Sequence, residues 1–433
     1  MQESGPHDIQ TTSIVRLTRF FSSNRPFIVV WLALFISIVG IGMVSPLLPV
    51  FAEDMGASGI WLGLAFSGFA ITQIPLMPVV GRFSDRVGKK SFLWLGLLLY
   101  AAAAVGYMLA PGYHELVLFR IFSGVGAAMV IPIAFAYVGE LAPLGYEARY
   151  MALFNMALIA GFGVGPVLGG VVYDGYGMDT AFASMALLSL FGSIAVIVFL
   201  PGRTSSTETT ASPQGTEFRE TSSSYVSMLR DNTIRGVVTF QMVYGLLFGT
   251  VLAFIGIWMT DEIGTTVAQV GIVLAARVLV NGALSYPFGS LSDRMNRVSL
   301  ATAGILVVVT GTFSIPWMES FFLLLCLFVA IGISESMALP SVNAIAVEKG
   351  RDVGMGSVMG LSNMSMSLGL VIGSIAGGLI ETSMGLTAVF RSAAVLGLIG
   401  VVVFNAFMVK AGWFSRESLP VIQGDPDGST TEK

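Results

Sequence analysis

Twelve mostly apolar runs, each about 20 residues long, follow one another along this chain with only short polar segments between them. A helix of that length crosses the roughly 30 Å hydrocarbon core of a bilayer and satisfies its own backbone hydrogen bonds there. A soluble fold of 433 residues could not bury a composition that is 55% hydrophobic, with 30 Phe. We therefore predict an all-α integral membrane protein with twelve transmembrane helices. The predicted spans are 26–50, 60–80, 91–110, 114–139, 148–172, 181–200, 234–259, 267–289, 298–316, 319–344, 353–380 and 386–410.

The distribution of basic residues predicts the orientation in the membrane. If the N-terminus is inside, the loops and tails on that side hold 19 of the 22 Lys and Arg residues, and the short outer loops carry acids such as Glu53 and Asp261. Basic loops stay on the cytoplasmic side. The first apolar run is too long for a signal-peptide core and lacks a cleavage site, so we expect it to be retained. We predict a multi-pass protein of the cell membrane with both termini in the cytoplasm.

The chain contains one unit written twice. GRFSDRVGKK at 81–90 returns as GSLSDRMNR at 289–297, and the offset of 208 residues aligns further Gly, Pro, Glu and Asn-Met matches without a net insertion from the second to the fifth span. Parallel repeats are related by an axis along the membrane normal, so we predict two pseudo-symmetric six-helix bundles that rock against each other. The predicted divisions are an N-terminal tail at 1–25, the first half at 26–200, a Ser/Thr-rich linker at 201–232, the second half at 233–411 and a C-terminal tail at 412–433.

The two charged phrases are expected in the short inner loop between the second and third helix of each half. Gly81 and Gly88 would permit tight turns, and Asp85 could accept hydrogen bonds from Arg86 or Arg149. Two interpretations stay open: a gate that closes the inner side, or an anchor that fixes topology. Basic residues alone would suffice for an anchor, so the repeated Asp and Gly favour a gate. The predicted gate residues are Gly81, Asp85, Arg86, Gly88, Lys89, Gly289, Asp293 and Arg294, with an inner network of Glu140, Arg149 and Glu348.

These motifs give the chain a family resemblance. Residues 81–90 look like the loop motif of the major facilitator superfamily, and the chain resembles more narrowly its twelve-span drug:proton antiporter branch. Leu118-Phe119-Arg120 is similar to the motif of the fourth span, whose arginine the family links to proton transfer. Residues 161–170 match the fifth-span motif that the family associates with antiport, and Gly42, Pro46 and Pro49 follow the branch's spacing in span 1. The resemblance implies the major facilitator fold and proton-coupled export by alternating access.

The fifth-span motif has a physical content of its own, carried by Gly161, Gly165, Pro166, Gly169 and Gly170. Glycines at i, i+4 and i+8 reduce one helix face to backbone, and the proline removes an amide and favours a bend. Two interpretations stay open: ordinary close packing of helices, or a hinge or seal between the halves.

Three ionisable residues are expected deep within spans, where charges are costly and usually functional: Arg120, Arg277 and Glu335. At about 1.5 Å per residue from the outer ends, Arg277 and Glu335 lie near 15 and 22 Å deep, close enough to pair if their helices face one another. Glu335 is then either the proton carrier, released by a changing partner or changing hydration, or one member of a permanent structural pair. Arg120 either orients an anionic group or the coupling site, or packs as a snorkelling arginine.

By the same resemblance, the first and fourth helices of each half line the substrate cavity. Aromatic and Met-rich walls suit hydrophobic, variable substrates. The candidate lining residues are Trp31, Phe35, Met43, Met129, Phe135, Tyr244, Phe248, Phe254 and Met337.

The function that these features predict is export of hydrophobic or amphiphilic small molecules in exchange for protons. The alternatives are an uptake permease or a dedicated metabolite exporter of the same superfamily, and, in another class, a non-transporting receptor or scaffold. The sequence has no P-loop, metal-ligand cluster or Ser/His/Asp arrangement, so we do not expect an enzyme, a cofactor or a metal. The expected partners are a small hydrophobic substrate, protons and the lipid bilayer, with no nucleic acid, and we expect a monomer.

Overall fold

The computed structural model describes residues 25–142, 147–200 and 228–414. Within these ranges the regular structure is helical, and no strand occurs there. Twelve helical segments are long and apolar enough to cross a membrane, which confirms the predicted fold class. The α-helices are α1 Arg25–Val44, α2 Leu48–Asp54, α3 Ile60–Val87, α4 Lys89–Leu109, α5 Tyr113–Leu141, α6 Glu147–Tyr176, α7 Met178–Phe199, α8 Asn232–Ile257, α9 Val267–Arg294, α10 Arg297–Ser314, α11 Phe321–Val353, α12 Met355–Met384 and α13 Leu386–Lys410.

The first span is not one helix. A turn at Ser45–Leu47 separates α1 from α2, although the sequence predicted a single helix over 26–50. Pro46 lies in the turn and Pro49 in the first turn of α2, and neither residue has an amide to donate to the carbonyl four positions earlier. The backbone continues through the break with a hydrogen bond from the Leu47 amide to the Val44 carbonyl, 3.0 Å long.

The charged phrase at 81–90 forms a much shorter connection than expected. Helix α3 continues to Val87 and α4 begins at Lys89, so Gly88 alone turns the chain. Gly88 has φ 109°, a backbone conformation that favours glycine. Gly81 lies inside α3 with helical geometry, so the expected turn at Gly81 was wrong, as was the predicted end of this span at residue 80.

The helix boundaries follow the internal repeat. Four helices of the first half and their counterparts in the second half begin 208 residues apart, although the two sequences differ at most positions. The paired first residues are Lys89 and Arg297, Tyr113 and Phe321, Glu147 and Met355, and Met178 and Leu386.

The halves share a core at one end of the molecule only. We call the end that carries Leu200 and Met228, between which the linker runs, the linker end, and the opposite end the far end. One buried apolar cluster fills the first half and continues into the far end of the second half, where it includes Phe254, Trp258 and Phe390. A separate cluster fills the remainder of the second half. The two halves are therefore packed together at the far end, whereas their linker ends have separate cores.

Candidate functional site

A cavity of about 420 Å³ lies between the two halves. That volume is in the range of small-molecule sites, roughly 300–1,000 Å³. Most of the wall is aliphatic or aromatic, and the polar groups are few. The first half contributes among others Ile38, Ser45, Phe66, Phe69, Gln73, Arg120, Ser123 and Phe162, and the second half contributes Phe248, Leu252, Leu274, Arg277, Val278 and Leu370.

Arg120 lies in the cavity wall and is only 2% exposed. Its Nε and Nη2 donate to the carbonyl oxygen of Phe66 at 3.2 and 3.0 Å, and its Nη1 donates to the Ser45 hydroxyl at 3.2 Å. The guanidinium carbon stands 4.7 Å from the ring centre of Phe69, a cation–π distance. Neutral groups therefore surround this charge among the described residues.

Arg277 and Glu335 form a buried ion pair at the opposite side of the repeat, each side chain 3% exposed. The Arg277 Nε donates to both carboxylate oxygens at 3.1–3.2 Å, and its Nη2 donates to one of them. The Asn281 amide reaches the same carboxylate at 3.4 Å. The Arg277 guanidinium also lies 5.0 Å from the ring centre of Phe248. The structure thus brings together the two residues whose depths in the membrane were expected to match.

The three buried charges depart from the internal repeat. At the offset of 208 residues, Phe328 corresponds to Arg120, Phe69 corresponds to Arg277, and Ala127 corresponds to Glu335. Shared residues build the common scaffold of the two halves, whereas these charges are present in one copy each. This asymmetry is a signal for the site that the sequence already contains.

Phe248 lines the cavity, but the other predicted cavity residues do not. Met43, Phe254 and Tyr244 are buried in the packing of the halves. Trp31 stacks on Phe35 with ring centres 5.6 Å apart, Phe135 packs against Phe154, and Met129 packs against Gly96. Met337 is half-buried and outside the lining.

The fifth-span motif lies in α6 and has two working faces. Gly161, Gly165 and Gly169 face α1 of the same half, where a Cβ on Gly169 would stand 2.2 Å from the carbonyl oxygen of Met43. On the other face, Gly170 lies against Ala268 of the second half, with 2.5 Å from an added Cβ to the Ala268 Cα. Both interpretations of the motif therefore describe part of it: one face packs within a half, and the other joins the halves.

The contact between halves occurs twice, at positions related by the repeat. A Cβ on Gly271 of α9 would lie 2.2 Å from the carbonyl oxygen of Pro166 in α6, and a Cβ on Gly63 of α3 would lie 2.3 Å from the carbonyl oxygen of Ser374 in α12. We call these two contacts, Gly271–Pro166 and Gly63–Ser374, the far-end seals. Each brings two helix backbones together without side chains between them.

Two carboxylates reinforce the seals across the interface. Asp174 of the first half accepts hydrogen bonds from the amides of Val267 and Ala268, at 3.1 and 2.8 Å, at the start of α9. Glu381 of the second half accepts a hydrogen bond from the Gly59 amide, at 2.9 Å, at the start of α3. Negative charges are favourable at helix N-termini, where amides lack intrahelical partners. Each half therefore caps a helix of the other half.

At the linker end, ion pairs form within each half and again follow the repeat. Lys89 pairs with Glu140, and Arg297 pairs with Glu348 at 2.9 Å. Of the predicted gate, Arg86 is exposed, and Gly289 lies inside α9. The side chains of Asp85, Arg149, Asp293 and Arg294 lie outside the described residues.

Comparison with known proteins agrees with this architecture. The family model of the Major Facilitator Superfamily matches residues 30–254 and 237–412. The chain is 25% identical to an uncharacterised MFS-type transporter of Methanocaldococcus jannaschii over 382 residues, which cover 86% of this chain and 95% of that protein. It is 26% identical to Multidrug resistance protein 2 of Bacillus subtilis over 369 residues, covering 82% and 88%.

A solved structure shows the same fold at low sequence identity. A bacterial homologue of the human lysosomal transporter Spinster, in an inward-facing and unoccupied conformation, superposes with a TM-score of 0.71 at 14% identity, covering 90% of this chain and 97% of that one. Twelve spans, two copies of one unit and a family match over nearly the whole described chain agree. The protein belongs to the Major Facilitator Superfamily.

Proposed function

We propose that this protein exports hydrophobic or amphiphilic small molecules in exchange for protons by alternating access. The observation that carries the proposal is the cavity of about 420 Å³ between the halves, apolar over most of its wall and bordered by a buried ion pair. Apolar walls with few polar groups suit hydrophobic substrates. The Bacillus subtilis relative is named a multidrug resistance protein, which supports the same substrate class.

The position of the seals supports a two-state mechanism. In the present conformation the far-end seals join the halves beyond Arg120, and the cores of the linker ends are separate. We propose that the linker end is cytoplasmic, so that this conformation takes up substrate from the cell. Separation of the seals, with closure of the linker ends, would release substrate outside.

Glu335 is the proposed proton carrier. It is a buried acid whose carboxylate is held by Arg277 and by the Asn281 amide. Protonation of Glu335 would remove the charge that attracts Arg277, which frees the guanidinium to interact with other groups in the cavity. The ion pair would then break and re-form in step with the two conformations.

Proteoliposomes that contain the purified protein and an internal pH dye test the proposal. A panel of lipophilic compounds is added, and the unmodified chain is compared with Glu335→Gln. Substrate-induced proton movement that Glu335→Gln abolishes is the expected result. Proton movement that survives the substitution would place the carrier elsewhere, and compound flux without proton movement would contradict exchange.

A further inference from the structure

The charges that line the cavity do not cancel. Arg120 and Arg277 both lie in its wall, each at least 97% buried, and one carboxylate, that of Glu335, stands beside them. Glu335 pairs with Arg277. Arg120 forms no ion pair with any acid among the described residues, and its contacts are a carbonyl, a hydroxyl and an aromatic ring. With Glu335 ionised, the site therefore carries a net charge of about +1 in apolar surroundings.

One hydrogen-bond donor at the cavity is also unused. The Arg277 Nη1 atom is buried and has no hydrogen-bond partner in the described part of the chain, whereas Nε and Nη2 are occupied by Glu335. A buried donor without a partner costs free energy, and more so when it is charged. A ligand that supplies an acceptor there would recover that cost.

The surroundings of the two guanidinium groups limit what such a ligand can be. The wall near them consists of aromatic and aliphatic side chains such as Phe66, Phe69, Phe248 and Leu274. A polyanion would leave several charges without partners, and a cation would meet an uncompensated positive charge at close range. A molecule with an apolar body and one negative group satisfies both the wall and the charge.

We propose that the cavity selects amphiphilic substrates that carry a single carboxylate, which accepts a hydrogen bond from the Arg277 Nη1 and is attracted by Arg120. This inference rests on the proposed function, because it takes the cavity to be the transport site. It narrows the substrate class from hydrophobic compounds in general to monoanionic ones. Arg120 then determines specificity through its charge, since neutral groups hold it in place.

The test uses three probes with one aromatic body and different charge: naphthaleneacetate, naphthaleneacetamide and naphthylethylammonium. Each is loaded into proteoliposomes that contain the full chain, and its efflux is measured chromatographically against protein-free vesicles. The expected order is carboxylate above amide above ammonium, with the carboxylate at least 10-fold faster than the ammonium. Faster efflux of the ammonium than of the carboxylate would overturn the inference while leaving the proposed function intact. No protein-dependent efflux of any probe would overturn both.

The role of Arg120 is tested by the ratio of carboxylate to amide efflux. Arg120→Gln should lower this ratio at least 10-fold, and Arg120→Lys, which keeps the charge, should preserve most of it. Arg391→Gln is the matched control, because Arg391 is an exposed arginine of α13 outside the cavity lining. An equal ratio in Arg120→Gln and Arg391→Gln would contradict the proposal, and so would loss of the ratio in Arg120→Lys when that variant remains monodisperse in detergent.

Discussion

Gly271 lies directly against the Pro166 carbonyl, so that a Cβ at residue 271 would stand 2.2 Å from that oxygen. The two residues belong to different halves, and the atom in the way is backbone, which has no side-chain rotamer to adjust. Substitution of Gly271 therefore has to move one half against the other. This contact gives direct experimental access to the equilibrium between the two conformations.

We expect Gly271→Val to shift the protein toward a state with an open far end. The measurement is the distance between spin labels at Ser58 and Thr265, in far-end loops of the two halves, in a Cys326→Ser background. The distribution should gain a longer component. Gly360→Val is the control, because Gly360 is also inside a helix but has no atom within 4 Å of an added Cβ. Identical distributions in the two variants would contradict the steric role of the seal.

Asp174→Asn should loosen the same end electrostatically. The substitution removes the charge that caps α9 and leaves one acceptor oxygen for two amides, which costs about 1–2 kcal/mol and changes the ratio of states roughly tenfold. A cysteine introduced for Ala127 in the cavity wall should react several-fold faster with an impermeant maleimide added at the far-end side. Asp179→Asn, an exposed acid in the first turn of α7, should leave the labelling rate unchanged. Equal rates in the two variants would show that the cap does not hold the halves together.

The Arg277–Glu335 pair should show strong coupling in a double-substitution cycle. Removal of one partner leaves the other charge buried, so we expect Arg277→Met or Glu335→Gln alone to destabilise the protein by about 3–5 kcal/mol. The double substitution should be more stable than Arg277→Met alone. Thermal unfolding of the detergent-solubilised protein measures this, with Arg391→Met as the exposed control. Additive effects of the two substitutions would contradict a direct pair.

Asp231 should make stability depend on pH. Burial opposes its ionisation, but hydrogen bonds from Lys349 and from the amides of Thr233 and Ile234 hold its pKa below the ordinary value of 3.8. A lowered folded-state pKa contributes stability above pH 3.8, and this contribution is lost as the pH falls through the folded-state pKa. Asp231→Asn keeps a good helix cap but removes the charge, so its deficit in melting temperature at pH 7 should disappear at low pH. Asp231→Ala should cost about 1 kcal/mol more by losing the cap. A deficit in Asp231→Asn that is independent of pH would exclude the ion pair as its cause.

The architecture could be predicted from the sequence because span length and the repeat are properties of the chain itself. The cavity lining could not, because every face of these helices is apolar, and periodicity does not distinguish a residue facing lipid from one facing a neighbouring helix or the cavity. Met43 and Ser45 illustrate this: they are two positions apart, but Met43 packs within the first half and Ser45 lines the cavity. The deep charges were identifiable because a buried ionisable group is unusual wherever it points.

The far-end seals failed as a sequence prediction for a different reason. Gly63 and Gly271 stand out only when the two halves are superposed on each other and then placed face to face. The glycines of α6 were noticed, but their partners in α3 and α9 follow no short motif. The short turn at Gly88 was missed because a helix can continue through charged residues as easily as through apolar ones.

The duplicated seals also have a consequence for leakage. If each half moves as a rigid body, α3 cannot separate from α12 without α6 separating from α9, and the two contacts behave as one cooperative element. A defect in one seal then changes how often the far end opens, but it does not create a partly open pathway through the protein. A cell would therefore tolerate such a variant without losing its ion gradients.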